Sequence, residues 1–197
     1  MIVGNGEIAK GLAGEIDAAD LVLRFNTCRS LGAGGQKTDM IAVCNTGRPA
    51  RAMLHEGDWK TSKAVAAAPT IWCVRDPETF AALRAPLSKS HPELDDFCDD
   101  YTDGFAAFAR DSGKAFHVVP AATHEAVDRD LKASSAVDYV VPSSGIIAIA
   151  EMMTNHMEAG DEIVIAGFTH QGWEWHPWDA ERAWIDNHVA ARRLNRL

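Results

Sequence analysis

Six short apolar runs punctuate the chain, and each one stops at Gly, Asn, Pro or a charged residue. They lie in "MIVGNG", "LVLRFN", "DMIAVCN", "TIWCVR", "FHVVP" and "EIVIAGF". Apolar runs this short, bounded by breakers, predict strands buried on both faces. Between them apolar residues recur at helical spacing over roughly 47–56, 77–85, 92–112, 123–133, 145–158 and 178–195. "EIAKGLAGEI", after the first strand, is a further helix candidate weakened by its glycines. Strands alternating with helices predict an α/β fold. The expected architecture is a single Rossmann-like domain over residues 1–197, a mostly parallel sheet flanked by helices on both sides.

Composition narrows the function. The 197 residues suit one domain, and 47% apolar content is ordinary for a globular core. A net charge of −9 argues against a nucleic-acid partner, which needs a basic footprint. It leaves room for a small anionic ligand, which responds to local donors. No run approaches the ~20 apolar residues of a membrane span. The N-terminus reads as strand and glycine turn rather than signal peptide. Cys28, Cys44, Cys73 and Cys98 show no CxxC spacing and read as reduced core thiols, so a cytoplasmic location is expected. The acids of "ELDDFCDDYTD" read as a solvated helix face.

The candidate chemistry collects where strands end. Gly4, Asn5 and Gly6 form a turn after the first strand, but the spacing is not G-x-G-x-x-G. The second strand ends in Arg24-Phe25-Asn26 instead of the acid that would hold a ribose, so the nicotinamide reading fails. A backbone turn open to an anion survives, with Asn5 offering its side-chain amide. Arg24 and Asn26 close the second strand at the same edge. Pro142 leads into Ser143, Ser144 and Gly145, whose hydroxyls and amides at a helix start suit an anion.

These segments resemble the sialyltransferases of glycosyltransferase family 29. "IVGNGEIAKGLAGEIDAADLVLRFN" with "GQKTD" resembles the family's long motif. "VPSSGIIAIAEMMTNHMEAGDEIVIAGF" resembles the short motif, and His176 with Glu181 resembles the last, His-x-x-x-x-Glu. The motif order is kept from Met1 to Glu181, while residues 50–135 show no match. The resemblance implies metal-independent inverting transfer from a CMP-activated nonulosonic acid, sialic acid or Kdo-like, to an unknown hydroxyl acceptor, with no cofactor. It implies nucleotide binding by Asn5, Asn26, Ser143, Ser144 and Gly145, which Gly4, Gly6 and Arg24 join as candidates from the same turn and strand end. It also implies His176 as general base, with Glu181 beside it. Unlike animal members of the family, the chain is expected to have no membrane anchor, no disulfide between the long and short motifs, and no clean third motif. His170 stands in for that motif as a further nucleotide-binding candidate.

The C-terminal "FTHQGWEWHPWDAERAW" concentrates this equipment. Pro177 suits a first helical turn and sets His176 beside the cap, where the macrodipole favours a neutral imidazole. Glu181 falls on the apolar face and needs a partner, for which His176 and Arg24 are the candidates. A zinc site from His170 and His176 lacks a third ligand, so no metal is expected. His55, His91, His117, His124, His156 and His188 read as surface or core residues. The alternative to an enzyme is a non-catalytic nucleotide-binding accessory protein, such as the urease-operon accessory type.

Overall fold

A computed structural model describes residues 1–134 and 137–197. Seven strands form one sheet: β1 Ile2–Val3, β2 Leu23–Phe25, β3 Met40–Val43, β4 Thr70–Cys73, β5 Ala115–Val118, β6 Val164–Ala166 and β7 Asn195–Arg196. Their order is β5-β4-β3-β2-β1-β6-β7, and every neighbouring pair is parallel. The helices are α1 Ala13–Ala18, α2 Gly47–His55, α3 Lys63–Ala67, α4 Pro77–Ser90, α5 Thr102–Asp111, α6 Ala121–Ser134, α7 Ser144–Asn155 and α8 Trp178–Ala190. The single Rossmann-like α/β domain is thus as expected, with a sheet that is parallel throughout.

The alternation of side chains across each strand builds two cores. Ile2, Leu23, Phe25, Met40, Ala42, Trp72 and Ile165 face α6, α7 and α8, where Leu131, Ile146, Ile149 and Ile185 meet them. Ile41, Val43, Ile71 and Cys73 face the other way, onto Ala50, Met53, Leu54, Val65 and Phe105. Val3 and Ala166 share that second face with Ile8, Ile16 and Val22. Strands covered on both faces need apolar residues at every position, which explains their continuous apolar runs.

Several boundaries differ from the sequence pattern. The first helix occupies only Ala13–Ala18, because the preceding segment turns through Gly11 at φ 94°. The pattern over 92–112 divides into a 3-10 turn at Pro92–Leu94 and α5. Helix α4 runs on through Pro86 to Ser90. The last helix stops at Ala190, and the chain turns through Arg192 at φ 55° into β7. All four cysteines are buried and unpaired with one another. Burial pushes the Cys28 thiol up to about 11, with Arg24 pulling the other way. No described helix is long and apolar enough to cross a membrane.

Arg24 corrects the sequence reading most sharply. It is completely buried rather than presented at the sheet edge. Its Nε donates to the Lys37 carbonyl (2.9 Å) and Thr38 Oγ1 (3.2 Å). Its two terminal nitrogens donate to Ser30 Oγ (3.3 Å) and the Gly34 carbonyl (2.7 Å). Asp17 Oδ1 accepts the Gln36 and Lys37 amides at 2.7 and 2.8 Å and closes the same loop from outside. A guanidinium can be buried here because its fork of donors meets acceptors on several sides. Arg24 therefore organises the β2–β3 loop. Replacing it with Met strands the Lys37 and Gly34 carbonyls at about 1–3 kcal/mol each. Urea denaturation should show Arg24→Met losing about 2–5 kcal/mol, with Arg24→Lys recovering only part because an ammonium lacks the planar fork. An unchanged urea midpoint for Arg24→Met would refute the structural role.

Candidate functional site

The chain starts in the middle of the sheet, runs outward from β1 to β5, then returns to place β6 on the other side of β1. The two loops that leave β1 and β6 therefore diverge, and open α/β sheets bind ligands at such a switch point. A cleft of about 450 Å³ opens there. Of the sequence candidates it brings together Gly4, Asn5, Gly6, Asn26, Ser143, Ser144, Gly145, His170, His176 and Glu181. Arg24 is not among its lining residues, and Arg29, Thr169 and Gln171 are additions.

The glycines have a different reason from the one expected. A Cβ on Gly4 would overlap the Gly167 carbonyl oxygen, and one on Gly6 would come within 2.7 Å of the same atom. The Gly4 and Gly6 amides donate to the Ala166 and Gly167 carbonyls at 2.8 and 2.9 Å. The turn is tight so that the backbones following β1 and β6 can touch, and that contact forms the cleft floor.

Asn5 does not hold out its amide to a ligand. Its Nδ2 donates to the Phe25 carbonyl (3.1 Å), and its Oδ1 accepts the Arg29 amide (2.9 Å). It joins the two strand-end loops and so positions Arg29, whose exposed guanidinium borders the cleft. Asn26 sits at φ 50°, a left-handed conformation that Asn tolerates better than most residues. Its Oδ1 accepts the Cys44 amide (2.8 Å), and its carbonyl accepts Trp59 Nε1 (2.8 Å). No hydrogen bond engages its Nδ2 among the described residues, so that donor remains for the cleft.

Ser143 caps α7, its Oγ accepting the Ile146 amide at 3.4 Å. The same hydroxyl donates to Glu181 Oε2 (2.7 Å), while the Ser143 amide donates to Glu181 Oε1 (2.7 Å). Glu181 is thus partnered by Ser143, not by His176 or Arg24. Burial pushes its carboxyl up to about 7, against the pull of both Ser143 bonds. The next amides, those of Ser144 and Gly145, belong to the first turn of α7 and have no partner within the helix. They lie at the positive end of the helix dipole.

His176 is held from behind. Its Nδ1 lies 2.8 Å from the Val141 carbonyl, which can only accept, so Nδ1 carries the proton and Nε2 is an acceptor. Trp173 and Trp178 stand edge-on to the ring at 4.9 and 5.0 Å. Trp173 stacks on Phe97 at 5.2 Å, and Trp178 Nε1 donates to the Trp173 carbonyl at 3.0 Å. These tryptophans are wall. Burial drives the His176 pKa down to about 4, with Arg75 adding to the effect and the Val141 bond opposing it. The dipole argument anticipated a neutral ring, but burial carries the shift far below the neutral range where a general base works best.

His170 also takes a left-handed backbone, at φ 48°. It is buried, and its Nε2 has no hydrogen-bond partner among the described residues. Burial lowers its pKa, with the charges of Arg196 and Arg182 adding to the effect. Non-glycine residues in this conformation are uncommon, and Asn26 and His170 place two of them on one cleft.

No family model matches the chain. Two crystal structures of a mammalian sialyltransferase, one in complex with Gal-β-1-3GalNAc-ortho-nitrophenol, align with all of this chain and 67% of theirs. Identity is 18% and the TM-scores are 0.54 and 0.52, so the likeness is one of fold. The urease operon 23 kDa accessory protein of Rhizobium meliloti (strain 1021) is 55% identical over 197 residues, spanning all of this chain and 91% of that protein. This relative overturns the expectation of a glycosyltransferase with a CMP-sugar donor and His176 as base. A protein matching the whole chain at that identity is named as an accessory protein, whereas the sialyltransferases share only the fold. The chain belongs to the family of the urease operon 23 kDa accessory protein.

Proposed function

We propose that this chain is a non-catalytic accessory protein of the urease operon, acting with urease proteins, and that its cleft binds a small phosphorylated ligand of the nucleotide class. The observation that carries the ligand is the set of donors lining the cleft that have no hydrogen-bond partner among the described residues. The Ser144 and Gly145 amides at the start of α7 share the cleft with Asn26 Nδ2 and the Arg29 guanidinium. Amides at a helix start beside a guanidinium suit a phosphate, even on a chain of net charge −9. The non-catalytic part is supported by what His176 and Glu181 already do. The His176 pKa of about 4 makes its free Nε2 a weak base near neutral pH, and each Glu181 oxygen already accepts a bond from Ser143. The accessory role and the urease partner come from the relative's name.

The test has two arms. In thermal unfolding, a panel of CMP, UMP, AMP, NAD and inorganic phosphate should stabilise the chain through nucleoside monophosphates, by about 2.7 kcal/mol at a hundredfold excess over Kd. Arg29→Glu reverses an exposed charge at the cleft and should remove most of that gain without lowering the unliganded midpoint. In cells, deleting the gene should lower urease activity, and the wild type but not Arg29→Glu should restore it. Absence of any nucleotide response rejects the ligand, and unchanged urease activity on deletion rejects the accessory role.

The buried pair also predicts a pH profile. The Glu181 pKa of about 7 lies above its ordinary 4.5, so the folded state binds this proton more tightly. Its contribution to stability falls as pH rises from about 4.5 and levels off above about 7. His176, at about 4 against 6.5, works in the opposite sense. Its contribution is full above about 6.5 and is lost as pH falls toward 4. Glu181→Gln mimics the protonated carboxyl, accepting the Ser143 amide and donating to its hydroxyl. At pH 8 the variant should be more stable than wild type by up to about 3 kcal/mol, and at pH 5 nearly equal. Denaturant curves at the two pH values decide this. Equal losses at both would show that no buried carboxyl titrates there.

A further inference from the structure

Away from the cleft, on the α7 face of the sheet, two imidazoles converge on one buried carboxylate. His117 comes from β5, at the sheet's edge, while Glu151 and His156 come from the second half of α7 and its C-cap. His117 Nε2 lies 3.0 Å from Glu151 Oε1, and His156 Nε2 lies 3.2 Å from the same oxygen. The potential ligand atoms of the three residues all fall within 4.8 Å of one another. We propose that His117, Glu151 and His156 form a binding site for a borderline divalent cation of the zinc type, with solvent completing the coordination.

The spacing fits that chemistry. Zinc bound to nitrogen and oxygen at about 2.0–2.1 Å in a tetrahedron sets neighbouring ligand atoms about 3.3 Å apart. The two nitrogen–oxygen separations are already close to this, so a cation can be accommodated by small ring rotations. In the structure both Nε2 atoms act as donors to the carboxylate, and on metal binding they become ligands. A neutral ring does this by moving its N–H from Nε2 to Nδ1, with no net proton released.

The surroundings are those of a supported ligand set. Glu151 is 1% exposed, yet no Lys or Arg pairs with it among the described residues. Its oxygens accept four hydrogen bonds but meet no full positive charge from Lys or Arg among those residues, and a cation between the carboxylate and the imidazoles would supply one. Its second oxygen is fixed by Thr123 Oγ1 (2.6 Å) and Asn155 Nδ2 (2.9 Å), which aims Oε1 at the histidines. Outer contacts of this kind orient metal ligands. Trp72 walls one side, 5.0 Å from the His117 ring and 4.6 Å from that of His156. The other side is open, since the histidine side chains are 31% and 34% exposed. Three protein ligands with an open position match a site that exchanges its fourth ligand, unlike a closed structural zinc site. Two imidazoles and a carboxylate favour zinc-like ions over magnesium or calcium, which prefer oxygen sets. The expectation of no metal rested on sequence spacing, and His117 and Glu151 are 34 positions apart.

The untagged full chain, stripped with chelator and dialysed, should be titrated with Zn2+ and Co2+ by calorimetry, with Mg2+ as control. One Zn2+ per chain is expected, and Co2+ should develop the visible absorption of a low-coordinate N/O site. His117→Gln and His156→Gln should each weaken Zn2+ binding at least about tenfold. His55→Gln, at an exposed histidine outside the cluster, should not. Glutamine can still donate to Glu151, so both cluster variants should fold, which circular dichroism checks. If His117→Gln does not fold, His156→Gln, one-third exposed at a helix end, carries the test. Failure to bind Zn2+, equal binding of Mg2+, or Zn2+ binding unaffected by His156→Gln would each overturn the site and leave a purely hydrogen-bonded cluster.

Discussion

The cleft depends on one buried contact, the pair of hydrogen bonds by which Glu181 of α8 grips the amide and hydroxyl of Ser143. That contact joins the start of α7 to the first turns of α8, across 38 positions of sequence. Ser143 can cap α7 while bonded to Glu181 because a hydroxyl both donates and accepts. Two residues earlier, Val141 takes the His176 ring by its carbonyl, so the chain before α7 is pinned at two points to the chain around the start of α8. The start of α7 is therefore held by Glu181 and by the Nδ1 side of His176, whose Nε2 stays free.

The floor of the cleft depends on backbone contact. Gly4 and Gly6 let the turn after β1 lie against Gly167, and Asn5 ties that turn to the loop after β2. The first amides of α7, the Asn26 amide nitrogen and the Arg29 guanidinium line the same cleft and make no hydrogen bond among the described residues. The same scaffold is seen in sialyltransferase structures, but a scaffold does not determine chemistry. Here the His176 ring, its pKa lowered to about 4, is held through Nδ1 by Val141, and each Glu181 oxygen accepts one bond from Ser143.

Two polar clusters on opposite ends of α7 follow from the geometry of a crossover helix. It starts at the sheet's C-terminal edge, beside the cleft, and runs back across the sheet face. Its first turn therefore meets the loops that follow β1 and β6, while its second half meets β5 and α6. Glu151 can be buried in the second half of α7 because His117, His156, Thr123 and Asn155 satisfy its oxygens.

The sequence by itself determined the layers. Apolar runs such as "MIAV" and "TIWC" can be buried on two faces only within a helix-covered sheet, and Ser143 before an apolar helix reads as a cap from local chemistry alone. It also set the polar positions at one edge of that sheet, because strand ends and helix starts are local features. What each polar side chain touches was decided by the tertiary structure. Arg24 reads as an edge residue, but strand alternation turns it under the β2–β3 loop toward carbonyls 10 and 13 positions away. Arg29 has no motif of its own and reaches the cleft through Asn5, 24 positions earlier. His117 reads as a surface or core residue until the packing of β5 against α7 brings it to Glu151. A cap, a strand or a turn is fixed by near neighbours, whereas the partners of a buried charge are fixed by which elements cross it.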